Sequence, residues 1–149
     1  MKISNLSLPL LENNIDEIIN INRIDVDTRM HWTVHNFLKP TDSKWKFSIF
    51  AQEQDEILGY VIASKKDELT IHIHLIMISS IHRNKKLGIL LINEIESIGK
   101  SNGLSRLTLW IYDDLVNVGK FYTRLGFKKK ESRINESSQK LSLLEKNLN

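Results

Sequence analysis

The apolar positions of this chain change period several times, and each change marks an element. Residues 3 to 8 alternate weakly and predict a first strand closed by Pro9. Ile15, Ile18 and Ile19, and then Met30, Val34, Phe37 and Leu38, recur at helical spacing and predict two helices, separated by "RIDVDTR" and ended at Lys39-Pro40. Trp45, Phe47 and Ile49 alternate with Lys46, Ser48 and Phe50, the pattern of a strand. Residues 57 to 64 predict a second strand, reached through the polar "QEQDE", and "KKDE" turns into a third at 69 to 78. From Leu87 the period is helical again, with Leu87, Leu90, Leu91, Ile95 and Ile98 on one stripe until "KSNG" stops it. Residues 106 to 112 read as a strand, 116 to 125 as a short helix ended by Gly126, and Phe127 onward as strand. The alternation around Leu141 and Leu143 allows one more. The order is strand, two helices, three strands, helix, strand, helix, one or two strands, which predicts an α/β fold with antiparallel hairpins in its first half.

Composition narrows the class. With 149 residues, 41% of them hydrophobic, the chain reads as a single domain over 1–149, long enough to bury a core unaided. It has no cysteine, which excludes disulfides, thiolate metal sites and a cysteine nucleophile. The start lacks the apolar stretch of a signal peptide and no segment approaches a membrane span, so a cytoplasmic protein without membrane partners is expected. A net charge of +3 suits an anionic ligand, but no basic stripe interleaved with aromatics points to nucleic acid. "KKK" at 128–130 reads as a solvated strand edge.

Three stretches carry chemistry. "RNKKLG", residues 83–88, sits where a strand enters a helix, and a helix N-terminus offers unpaired N–H groups and about half a positive charge. Two readings stand for it: an anion site, with Gly88 keeping a Cβ away from a phosphate one turn in, or a solvated cationic loop. In "TIHIHLIMI", alternation places Ile71, Ile73, Leu75 and Met77 on a core face and Thr70, His72, His74, Ile76 and Ile78 on the other. The two imidazoles are then roughly 7 Å apart and aimed alike. A zinc pair would need a third ligand that the neighbouring sequence does not supply. In "GKFYTRLGFKK", Phe121 and Leu125 are expected in the core, with Tyr122 beside them and its hydroxyl seeking a polar partner.

Strand, "RNKKLG", amphipathic helix, strand and "FYTRLGF" together resemble the GNAT N-acetyltransferase superfamily, whose signature motifs are R/Q-x-x-G-x-G/A and a-x-x-F-Y-x-x-x-G-F. The likeness covers about residues 45 to 130, and the two motifs stand at the family's separation of about 40 residues. It implies a GNAT-like mixed, mostly antiparallel central sheet of six or seven strands flanked by about four helices. It also implies acetyl-CoA as co-substrate and no metal. The loop residues Arg83, Asn84, Lys85, Lys86, Leu87, Gly88 and Ile89 would grip its pyrophosphate, and the backbone of Ile76, Met77 and Ile78 would pair with its pantetheine arm. Two positions depart from the motifs: Lys86 replaces the first glycine, and Leu115 stands where the family often has an asparagine, with Asn117 two positions on as the alternative contact. "HIHLIMISSIHR" is further similar to the H-x-H-x-x-x-V segment of arylalkylamine (serotonin) N-acetyltransferases, which implies His72 and His74 as base or proton relay and Tyr122 as general acid.

That assignment suits the reaction. An ammonium with a pKa of about 10 must lose a proton before it attacks a thioester, and an imidazole with a reference pKa of about 6.5 can accept it. A phenol can protonate the departing thiolate, and an N–H near Met77 or Ile78 can hold the thioester oxygen. The expected function is transfer of an acetyl group to a primary amine of a small molecule, with Asp25 or Asp27 attracting the ammonium and Trp32 or Trp45 stacking on the acceptor. The rival readings are a protein or peptide N-acetyltransferase and a non-catalytic acyl-CoA-binding module. The expected partner is the amine acceptor, with a homodimer left open.

Overall fold

The structure, a computed structural model, describes residues 1–83 and 86–149. Its frame is one seven-stranded sheet in the order β1-β2-β3-β4-β5-β7-β6. The strands are β1 (Lys2–Asn5), β2 (Ile49–Glu53), β3 (Glu56–Asp67), β4 (Thr70–Ile78), β5 (Arg106–Tyr112), β6 (Lys128–Ile134) and β7 (Lys140–Asn147). Every neighbouring pair is antiparallel except β4 with β5, the one parallel contact. Six α-helices are present among the described residues: α1 (Leu8–Asn13), α2 (Ile15–Ile21), α3 (Val34–Leu38), α4 (Lys44–Phe47), α5 (Leu87–Ser101) and α6 (Val116–Arg124). The mixed, mostly antiparallel sheet is the expected one, while the expected four helices are joined by α1 and α4.

Both extra helices have local causes. Pro9 opens α1 rather than closing the first strand: Ser7 caps the helix by accepting from the Leu10 N–H, and a proline in the first turn costs no hydrogen bond. At Trp45 the alternating pattern misleads. Lys44 is drawn inside, 3% exposed, with its Nζ donating to the carbonyls of Phe37 at 2.5 Å and Lys39 at 2.7 Å. To hold it there the backbone closes a helical turn, Ser48 N–H to Lys44 C=O, and the strand begins only at Ile49. β3 also runs three residues past its expected end, to Asp67.

Two cores flank the sheet. Leu87, Leu91, Ile92 and Ile95 of α5 pack on one face with Ile71, Ile73, Leu107 and Leu109, and Tyr122 of α6 joins them. The stripe on α5 is rotated from the expected one, since Ile92 is buried and Leu90 is 42% exposed. On the other face Leu11, Ile18, Ile21 and Phe37 pack against Tyr60, Ile62, Leu75 and Met77. Tyr60 ties α2 to this face through its hydroxyl, 2.8 Å from the Ile18 carbonyl.

The distribution of β4 between the two cores corrects the simple alternation. Ile62 of β3 pairs with Leu75, and the next residue, Ala63, pairs with Ile73, so His74 is an extra residue in β4. A bulge reverses the side-chain phase. Ile71 and Ile73 therefore face α5, whereas Leu75 and Met77 face α2 and α3, and Ile76 and Ile78 pack on the α5 side.

Candidate active site

β4 and β5 are in register over only three pairs, Thr70–Arg106, Ile71–Leu107 and His72–Thr108. Beyond His72 the strands diverge, and the opening between them is a cleft of about 960 Å³. Its walls are the second half of β4, the end of β5, the first turn of α5 and the start of α6. The β4 edge facing it carries usable donors. Ser79 N–H is bonded to Leu58 C=O on the β3 side, so by strand alternation the amides of Ile76 and Ile78 point into the cleft and that of Met77 does not.

At the cleft's end α5 begins with its first-turn amides, and the N-cap, Lys86, makes no side-chain cap. Lys86 has φ 61° and ψ 13°, a left-handed conformation that suits glycine, which accounts for the glycine in the family motif as a backbone requirement. Gly88 lines the cleft and also serves helix packing, because a Cβ there would lie 3.2 Å from the Phe121 ring. Arg83 lines the cleft with its guanidinium already engaged. Nε donates to Ile78 C=O at 3.2 Å, and the Nη atoms donate to Asp25 C=O at 2.9 Å and Ile24 C=O at 3.2 Å. It thus ties the loop after α2 to the end of β4. Leu87, Ile89 and Asn117 also line the cleft, and Asn84 and Lys85 lie outside the described residues.

His74, thrown outward by the bulge, lines the cleft, while His72 stands one step behind it. Their ring centroids are 4.9 Å apart and edge-to-face, closer than an unbulged strand would hold them. Each ring is anchored by a buried hydroxyl from a flanking strand: His74 Nε2 lies 2.5 Å from Ser64 Oγ, and His72 Nδ1 lies 2.8 Å from Thr108 Oγ1. Burial, and then the neighbouring His74, push the His72 pKa down to about 4. Burial, and then Lys44, also lower that of His74. Both imidazoles are therefore neutral near pH 7, the state a base needs.

Tyr122 lines the cleft from α6. It is the buried member of its helix, 4% exposed, with Phe121 and Leu125 only half-buried, the reverse of the expected order. The short α6 lies with its Tyr122 face on the sheet, between the rings of Phe121 and Phe127. Burial raises its phenol pKa, so the hydroxyl keeps its proton.

The acceptor-side residues divide. Asp25 and Asp27 line the cleft, Trp32 lines a second, smaller chamber, and Trp45 lines neither but packs 4.8 Å from the Lys44 ammonium. Asp27 is bound to Arg29, whose guanidinium also holds Asp114 through two 3.0 Å bonds and stacks 4.3 Å over Tyr112. This strap ties the loop after α2 to the loop after β5. Sequence reading missed Ser64, Thr108, Lys44 and the Arg29–Asp114 pair. The first two carried a signal, Ser64 as a hydroxyl at the end of an apolar buried run and Thr108 as one within such a run, whereas a partnership 85 residues apart carried none.

A family model, described as the acetyltransferase (GNAT) family, matches residues 15–127. A search by sequence among curated proteins finds no match. Among solved structures, the ribosomal-protein-S18-alanine N-acetyltransferase from Escherichia coli superposes with a TM-score of 0.81 at 13% identity, covering 99% of this chain and 93% of that one. Ard1 from Thermoplasma volcanium gives 0.80 at 15% identity, over 98% and 96% of the two chains. An aminoglycoside 6'-N-acetyltransferase complexed with coenzyme A gives 0.75 at 18% identity, over 100% and 98%. At these identities the likeness is one of fold.

Proposed function

Since the chain belongs to the GNAT acetyltransferase family, we propose that it transfers the acetyl group of acetyl-CoA to a primary amine of a small molecule by direct attack. The observation that carries this reading is that His74, Tyr122, the inward amides of Ile76 and Ile78 and the first turn of α5 all line one cleft. The residues suit the co-substrate. A polyanion meets helix amides and Lys86 at one end, and an extended amide-containing arm meets the unpaired β4 edge along its length.

His74, neutral and backed by His72, accepts the proton that the ammonium must lose. The new C–N bond forms as the C–S bond breaks, with the Ile78 or Ile76 N–H holding the carbonyl oxygen where charge develops. Tyr122 donates its proton to the departing thiolate and is reprotonated from solvent. The amine nitrogen gives up its second proton along the histidine pair, and the net products are amide, thiol and one proton. The strap from Arg29 to Asp114 favours a small acceptor over a peptide, because it ties together two loops that would have to part to admit a chain.

The test has two arms. CoA should raise the melting temperature by mass action. Tyr122→Phe should lower turnover by about 10² while leaving acetyl-CoA affinity nearly unchanged. No thermal response to millimolar CoA, or wild-type turnover in Tyr122→Phe, would overturn the reading.

A further inference from the structure

Behind His74 lies a second chamber of about 240 Å³, lined by Trp32, Lys39, Thr41, Lys44 and Ile62 among others. His74 is the one described residue that lines both this chamber and the cleft. An amine held at the imidazole therefore has part of its own molecule in reach of the chamber. The volume is below that of a whole ligand pocket and fits a substituent of a few atoms.

The chemistry of the chamber is cationic. Lys44, 3% exposed, has no carboxylate partner among the described residues, and its ammonium is held by the carbonyls of Phe37, Lys39 and Asn36. Those oxygens satisfy its donors without cancelling its charge, and a buried charge of this kind ordinarily has a counterion. The side chains of Lys39 and Thr41 add donors that no other described residue takes. The remaining charges that bear on the histidine pair, Lys66 and Arg133, are cations as well. Glu145, in register with Thr108 on β7, stands two strands beyond β4, away from the chamber. Of the two acids on the cleft, Asp27 is neutralised by Arg29, and Asp25 lies by Arg83 and does not line the chamber.

We infer that this chamber is an acceptor subsite for a carboxylate, so that the acceptor is an amine bearing a carboxylate, such as an amino acid, rather than a polycation. The inference rests on the reading of His74 as the base. Lys39 and Thr41 hold the carboxylate directly, Lys44 contributes its charge from behind, and Trp32 forms the apolar wall for the adjoining carbons.

Matched acceptors test it: amino acids against their primary amides, followed by thiol release at fixed acetyl-CoA. The amide carries the more readily deprotonated amine and would win on reactivity alone. The subsite predicts instead that the amino acid has the higher kcat/KM, by roughly 10- to 100-fold for one charged hydrogen-bonded contact. In Lys39→Gln the ratio should fall towards one, and in Lys39→Glu below one. Lys39 is exposed, so neither change endangers folding. An amide preferred by the unaltered protein, or a ratio that neither variant moves, would overturn the subsite alone. Failure to acetylate any amine while CoA still raises the melting temperature would overturn the catalytic reading, and the subsite with it.

Discussion

The histidine pair makes a prediction about stability that is independent of any acceptor. His72 is half-buried and its pKa lies at about 4 in the fold against 6.5 in an unfolded chain. Between those values the unfolded chain binds a proton that the native one does not, so stability falls as pH falls. The loss starts near pH 6.5, grows through the window and is complete below about pH 4. A tenfold difference in proton affinity is worth about 1.36 kcal/mol, so His72 removes roughly 3 kcal/mol on going from pH 7.5 to pH 4. His72→Gln keeps a polar group facing Thr108 and does not titrate. Urea unfolding followed by circular dichroism at pH 7.5, 5.5 and 4 isolates the contribution of the histidine pair, because titrating groups remote from it contribute alike to both proteins. The wild type should lose about 3 kcal/mol more than the variant, with equal m-values. Equal losses, to within about 1 kcal/mol, would refute the claim that the fold holds His72 neutral. Turnover should then be limited in acid by an apparent pKa below 6.5, since both imidazoles are shifted downward.

Lys86→Gly should melt about 2–4 °C above Lys86→Ala, because alanine shares the left-handed strain of φ 61° and glycine does not; identical melting curves would show that no strain is stored there. Arg83→Gln should loosen the loop after α2, with faster proteolysis around Ile24 and Asp25, yet leave the salt dependence of CoA binding nearly unchanged. A marked drop in that salt slope would mean that the guanidinium faces the phosphates instead. Gly59→Ala would place a Cβ 2.7 Å from Met77 C=O and 2.9 Å from Ile78 Cδ1, shifting the cleft edge of β4. It should cost about 1–3 kcal/mol and weaken CoA binding, and wild-type values in thermal shift and titration would refute the close packing.

What the sequence determined by itself is whatever depends on neighbours along the chain. Helix α5 and its start after Lys86 are set by spacing and by glycine and lysine positions within about fifteen residues. The strand of residues 106–112, the exposed edge at "KKK" and the proximity of two histidines one pleat apart follow from the same short range. The tertiary structure decided the rest, because burial is a property of the assembled sheet. A strand's side chains keep their alternation only while its register holds, and the bulge at His74 arises from pairing with β3, outside the strand's own pattern. That one residue sends Leu75 and Met77 to the opposite core from Ile71 and Ile73 and closes the two imidazoles from one pleat repeat to a centroid distance of 4.9 Å. Tyr122 is buried and Phe121 half-buried because of where α6 lands on β5, and helical spacing alone admits either face. Lys44 resembles any surface lysine until the carbonyl end of α3 closes over it, a contact fixed by how α3 and α4 pack on β3. Arg83 shows the same limit, since the carbonyls of residues 24 and 25 that its guanidinium meets lie nearly sixty positions away, beyond any local pattern.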